Sequence, residues 1–192
     1  MKMHVPLVIA ALVAASAATA GEIPASDIQP LKAAAGALSS QLGAELKKEL
    51  GSGTPESAIA VCRDAAPRIA GELSRQSGMK VSRVSLKARN PLVGTPDAWE
   101  QAALQKLDAR AALGEKPETL EVAEIVSEPA GRSLRYIKAI PVQPMCLTCH
   151  GNPADMAPAV KDRLAISYPH DHATGYTLGL LRGAVSVKKQ LD

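Results

Sequence analysis

The sequence predicts an α+β fold in which helices come first and an antiparallel sheet follows. Three observations predict it: helical periodicity in the first half of the chain, two strand patterns joined by a short turn in the second half, and a last strand pattern near the C-terminus. Because helices and strands are grouped along the chain rather than alternating, their order favours helices packed on one antiparallel sheet. We find no repeat or linker, so residues 21–192 are expected to form a single domain.

Two helices are expected before the first strand. Apolar residues recur at helical spacing over residues 31–50, which indicates an amphipathic helix that a Gly-Ser-Gly sequence then ends. Thr54 suits an N-cap and Pro55 the first helical position, so a second helix is predicted from there to about Arg75. Cys62 falls on the apolar face of this helix and is expected to point toward the core.

A short strand and a third helix are expected next. Alternation of side-chain type predicts the strand at residues 81–86. Thr95 and Pro96 repeat the capping pattern and predict a helix that ends near Leu113. Trp99 lies on the apolar face of this helix, where we expect it to serve packing.

The second half of the chain contains the remaining strand patterns. Strands are predicted at residues 119–127 and 132–139, and the Glu-Pro-Ala-Gly sequence between them is typical of a hairpin connection. A short helical segment is expected at residues 157–164, and a final strand is expected at residues 180–187.

The first twenty residues have the pattern of a secretory signal peptide. An apolar run from Val5 to Ala18 is followed by Ala-Thr-Ala before Gly21, which is typical of a cleavage site. The run is shorter than the ~20 apolar residues of a spanning helix, and no later stretch approaches that length. We therefore expect a mature periplasmic protein that begins near Gly21 and has no membrane span.

The charge and the composition of the chain indicate which classes of ligand it could bind. The formal net charge is +3, and the basic residues are scattered rather than gathered in a stripe, so a nucleic-acid partner is not indicated. The chain has no Phe, one Trp and three Tyr. A core built of Ala, Leu, Val and Ile with so few rings has room for one large flat ligand.

The most specific motif is the sequence Cys-Leu-Thr-Cys-His at residues 146–150. It has the C-x-x-C-H arrangement by which a haem is attached covalently through two thioethers. We predict one haem c, bound through Cys146 and Cys149, with His150 as the proximal ligand of its iron. A redox dithiol or disulfide and a zinc site stay as alternatives, although Cys62 is the only other cysteine that could complete a zinc site.

Five segments of the chain carry a resemblance to a known family: residues 60–67, 85–91, 96–100, 146–151 and 182–187. Together they resemble the secreted c-type haem domain family first described in cyanobacteria. The resemblance implies a PAS-like fold with one haem held between His150 and Cys62. Members of that family fused to kinases or cyclases look like redox or gas sensors.

Taken on the residues alone, the sixth ligand of the iron stays open. A lone thiol in an oxidising compartment is a liability unless it is buried or bound, which favours Cys62. Lys87 and Arg89, with Arg63, are candidates to stabilise a thiolate or to pair with the haem propionates. The other candidate ligands are Met79, Met145, Met156, His170 and His172.

These expectations define a function. A thiolate ligand stabilises ferric iron, so we expect a low reduction potential and a role in electron transfer or in redox or gas sensing through a partner protein that the sequence does not identify. With two protein ligands the iron has no open position, so we expect no enzymatic activity. The alternative is a haem-dependent peroxidase or a small oxidoreductase.

Overall fold

The computed structural model describes residues 23–191, so the predicted signal peptide at residues 1–20 lies outside the described residues. Its centre is a four-stranded antiparallel sheet in the order β1-β4-β3-β2. The strands are β1 (Lys80–Val84), β2 (Glu121–Glu128), β3 (Gly131–Pro141) and β4 (Leu181–Gln190). The helices are α1 (Ala25–Ser52), α2 (Pro55–Ala60), α3 (Ala66–Ser77), α4 (Pro91–Gly94), α5 (Ala98–Ala112), α6 (Leu147–His150) and α7 (Pro158–Ser167). The predicted α+β class is confirmed.

Helices cover both faces of the sheet. On one face, α1 and α3 pack against apolar side chains that alternate along β3 and β4, such as Leu134 and Val185. On the other face, α5 packs against the intervening positions, such as Ile137 and Ala184. Strands β1, β3 and β4 therefore each contribute to two cores, one on each face of the sheet.

The second predicted helix contains an irregularity. Thr54 caps it as predicted, with its Oγ1 atom accepting a hydrogen bond from the Ser57 amide at 3.2 Å. Between α2 and α3, however, residues Val61–Ala65 form a single π-helical turn. Such turns are rare overall, but those that do occur are often found at functional sites. This one contains Cys62.

The N-cap of α5 differs from the predicted one. The cap is Asp97 and not Thr95, and it forms a capping box in which Asp97 accepts from the Glu100 amide at 2.9 Å and Glu100 accepts from the Asp97 amide at 2.9 Å. Trp99 packs partly buried against Ala103 and Leu107, as predicted. Its indole N–H donates to Glu124 at 2.8 Å.

A buried arginine organises the polar groups on the α5 face of the sheet. Arg135 is 4% exposed and lies within salt-bridge distance of Asp97 at 2.5 Å, Glu128 at 3.1 Å and Glu100 at 3.4 Å. Its guanidinium also lies over the Trp99 ring, 4.6 Å from the centroid. A buried guanidinium of this kind stabilises the fold only while its carboxylates are ionised.

Acid is therefore expected to weaken the fold. Burial raises the pKa of Asp97, but hydrogen bonds from Arg135 and from the Glu100 amide outweigh it and hold that pKa below the usual 3.8. The hydrogen bond from Lys188 lowers the pKa of Glu128 below the usual 4.5. A carboxyl whose pKa is lower in the folded state stabilises that state above its unfolded pKa, and this contribution is lost as the pH falls through the folded value.

Thermal unfolding measured between about pH 6 and about pH 3 tests this expectation. The midpoint should hold steady down to about pH 4.5 and fall steeply below it. An unchanged midpoint at the acid end would show that these carboxylates add no stability.

Candidate haem site

A cavity with a volume of about 960 Å³ lies among the described residues. It lies on the α1 side of the sheet, and its wall is formed by α1, the α2–α3 region, β1, the loop that follows β1, the end of β3 and residues 143–150. The volume falls near the top of the ~300–1,000 Å³ range of small-molecule sites. The side chains that this wall brings together include Cys62, Cys146, Cys149 and His150.

The C-x-x-C-H motif forms two short helical turns at this wall. A 3₁₀ turn, Pro144–Cys146, leads directly into α6, and Cys146 and Cys149 are both half-buried. The segment that follows α7 holds α6 from behind, because the Tyr176 amide donates to the His150 carbonyl at 2.9 Å. The motif therefore has a fixed backbone rather than a loose loop.

The imidazole of His150 is oriented for metal binding. Its Nδ1 atom lies 2.7 Å from the Ala173 carbonyl oxygen, which fixes the tautomer with the proton on Nδ1. The lone pair is then on Nε2, which lies 3.3 Å from the Nε–H of Arg182. Burial, with the charge of Arg182 acting in the same direction, holds the pKa of His150 well below its usual value of 6.5. Histidine binds metals as a neutral imidazole through one ring nitrogen, while the other ring nitrogen donates a hydrogen bond to a group such as a carbonyl.

Arg89 clamps the motif to the segment behind it. The side chain is 7% exposed, and its Nε–H donates to Asp171 at 2.9 Å. Its Nη2 atom donates to the carbonyl oxygens of Cys149, at 2.5 Å, and Ala173, at 3.1 Å. Since Ala173 also accepts from His150, this guanidinium positions the imidazole indirectly. Arg89 lies in the cavity wall, but it already has a carboxylate partner.

Lys87 has a different environment from the one expected for a propionate partner. Its side chain is exposed, and its Nζ atom donates to the Thr174 carbonyl at 2.5 Å and lies 4.7 Å from the centroid of the Tyr176 ring. Lys87 and Arg89 therefore both fasten residues 171–174 to the loop that follows β1. The role predicted for them toward haem propionates stays a prediction.

Cys62 lies in the cavity wall rather than in the core. The expectation that it points toward the core is corrected: within the π turn the residue is half-buried and lines the same cavity as His150. Met79 and Met156 are buried in separate apolar clusters, and His170 and His172 are exposed. Of the predicted sixth ligands, the wall contains Cys62 and Met145.

The second cysteine of the motif lies in a partly buried environment. Burial raises the pKa of the Cys149 thiol, so the fraction ionised at neutral pH is small. Since the thiolate is the nucleophile in thiol–disulfide exchange, Cys149 is poorly suited to be the attacking thiol of a dithiol pair.

Arg182 is one of the wall side chains that sequence reasoning did not single out. Its Nη1 atom donates to Ser85 Oγ at 3.0 Å and to the Lys87 carbonyl at 3.3 Å, and its Nε–H lies 3.3 Å from His150 Nε2. Its only signal in the sequence was its place in the segment 182–187, because a single arginine before a glycine does not form a recognisable motif.

Comparisons with known proteins agree on one family. The profile of the Tll0287-like family matches residues 8–189 of the chain. A solved structure, described as the crystal structure of the cyanobacterial heme-protein Tll0287, has the same fold with a TM-score of 0.66 and 24% identity, over 88% of this chain and 98% of that chain. No curated protein matches the sequence. The chain belongs to the Tll0287-like family.

Proposed function

We propose that this chain is a periplasmic c-type haem protein. Cys146 and Cys149 would hold the haem through thioethers, and His150 would bind its iron through Nε2. The observation that carries the proposal is the neutral imidazole, fixed by Ala173, in the wall of a cavity that also contains both motif sulfurs. The printed description of the related cyanobacterial structure as a heme-protein supports it.

The residues present fit a haem. All three cysteines are free thiols, so none has to be released from a disulfide before it reacts or binds. The wall combines apolar side chains, such as Leu42 and Ile59, with a few polar ones, which suits a large flat ligand with an apolar ring and an ionised edge.

We further propose Cys62 as the second iron ligand. Its sulfur shares the wall with His150, and ligation by a metal would keep it deprotonated. A bound haem supplies one-electron redox chemistry, and a thiolate ligand stabilises the ferric state, so the protein would work at low potential. Both axial positions would then be filled by protein, which favours electron transfer or redox or gas sensing over enzymatic turnover.

The location and partner follow from the same proposal. Residues 1–20 would direct the chain to the periplasm, where covalent attachment of haem takes place, and an electron or signal would leave through a partner protein. Within residues 23–191, no helix is both long enough and apolar enough to cross a membrane.

Expression beside a cytochrome c maturation system tests the proposal. The purified full chain should be red, should keep its haem on a denaturing gel, and should gain the mass of one haem. A Cys146→Ser/Cys149→Ser variant is the matched control and should lose the haem on denaturation. Colourless wild-type protein of unchanged mass would contradict the assignment.

A further inference from the structure

The sheet carries an extra residue at Arg182. Along the β3–β4 ladder, Ile140 pairs with Gly183 and Pro141 pairs with Leu181, so Arg182 has no partner and forms a β-bulge. In a regular strand, Arg182 would share a face with Ala184, which packs under α5. Arg182 instead lines the cavity on the opposite side. Bulges occur next to binding sites because they re-aim a side chain, and this one aims a guanidinium at the candidate haem site.

The next residue makes this placement possible. Gly183 has a φ of +148°, and a Cβ atom on it would lie 2.3 Å from the Val84 carbonyl oxygen. Only glycine allows this close approach of the β1 and β4 backbones. The approach brings Ser85 beside the bulge, where its hydroxyl donates to the Arg182 carbonyl at 2.8 Å and accepts from the Arg182 guanidinium at 3.0 Å.

The guanidinium that the bulge presents has no carboxylate partner within the described part of the chain. Its acceptors are a hydroxyl, a backbone carbonyl and the ring nitrogen of His150. The third acceptor is the nitrogen that would bind iron, and one lone pair cannot serve both. A haem ligated by His150 would therefore displace this guanidinium from Nε2 and leave its Nε–H free to bind another acceptor of the ligand.

A second arginine of the wall is in the same situation. Arg83 projects from β1 on the cavity side and, like Arg182, forms no salt bridge with a described carboxylate. The other two arginines of the wall are paired, Arg89 with Asp171 and Arg63 with Asp64. The wall thus holds an excess of positive charge that an anionic ligand group would neutralise.

We propose that Arg182 and Arg83 form an anion subsite that binds a carboxylate of the cofactor. The inference rests on the proposed haem function and names the propionates as the groups bound. A guanidinium offers parallel N–H donors that match a carboxylate, and such charge-assisted bonds are among the stronger hydrogen bonds in proteins. This pair, rather than Lys87 and Arg89, then selects a porphyrin with free carboxyl groups.

The subsite is tested by comparing the affinities of two porphyrins for the wild type and for arginine variants. The full chain, produced without haem maturation, is titrated with ferric protoporphyrin IX and with its dimethyl ester. The two ligands keep the same iron and ring, so His150 ligation contributes equally to both. Wild-type protein should bind the diacid roughly tenfold or more tightly than the diester, and Arg182→Gln should remove most of that preference. Arg83→Gln should reduce it in the same direction.

Two further variants separate charge from structure. Arg182→Lys keeps the positive charge and should retain part of the preference, whereas Lys106→Gln removes an exposed charge from α5, on the other face of the sheet, and should leave the preference intact. The subsite would be overturned if Arg182→Gln weakened the binding of the diacid and the diester equally, or if it left the preference for the diacid unchanged. Either result would leave haem binding itself in place. Failure of the wild type to take up either porphyrin would overturn the subsite, whereas the proposed function is tested separately by covalent attachment during maturation.

Discussion

Replacing Cys62 by serine is expected to leave the haem covalently attached and to change the state of its iron. In the proposed site the thioethers would be made by Cys146 and Cys149, so attachment would not depend on Cys62. A neutral hydroxyl is a much weaker ligand for ferric iron than a thiolate. The ferric state should therefore lose stabilisation, and the reduction potential should rise.

The expected rise is on the order of 0.1 V, since axial ligands tune haem potentials over roughly 0.8 V. Ferric absorption spectra should lose their low-spin thiolate character, and a potentiometric titration should give the higher midpoint. Met145→Leu is the matched control, because Met145 is the other sulfur of the wall among the predicted sixth ligands, and this variant should keep both properties. A Cys62→Ser protein with wild-type spectra and potential would show that Cys62 is not the second ligand and would return the role to Met79, Met156 or a histidine.

The second large effect is expected from Gly183→Ala. The added methyl group would lie 2.3 Å from the Val84 carbonyl oxygen and 3.0 Å from the Ser85 Cβ atom, so two backbones would have to separate. The positive φ adds strain of its own, of order 1–3 kcal/mol for a residue with a side chain. Together with the clash, we expect a loss of about 3 kcal/mol or more in the free energy of unfolding.

Denaturant unfolding of the wild type and of Gly183→Ala measures this loss. It would be a large share of the ~5–15 kcal/mol that stabilises a typical domain. Gly179→Ala provides the comparison: Gly179 also has a positive φ, of 88°, but a Cβ atom there meets nothing within 4 Å. It should cost only the conformational strain. Equal losses at the two positions would show that the contact between β1 and β4 is not what requires glycine at 183.

Local patterns predicted much of this fold because the relevant physics is local. The spacing of apolar residues along α1 and the Thr54-Pro55 cap specify helices through contacts within a few residues. The hairpin between β2 and β3 follows equally from strand patterns and a turn sequence. The attachment motif was also visible, since its function lies in the spacing of Cys146, Cys149 and His150.

The features that patterns missed depend on contacts distant in sequence. The π turn at Cys62 has no signature in residue type, and helical periodicity alone placed that cysteine toward the core. The bulge at Arg182 is visible only once β3 and β4 are aligned, because the extra residue is defined by the partner strand. In the same way, Arg89 could be suspected of binding an anion until Asp171 was found beside it, 82 positions along the chain.

The position of Trp99 gives the molecule a built-in optical reporter. It is the one tryptophan of the chain, and it lies on the α5 face of the sheet while the cavity lies on the other face. Its emission wavelength would follow the integrity of the α5 face during unfolding. Its emission intensity would fall by energy transfer when a haem occupies the cavity, so one fluorescence trace would separate loss of cofactor from loss of fold.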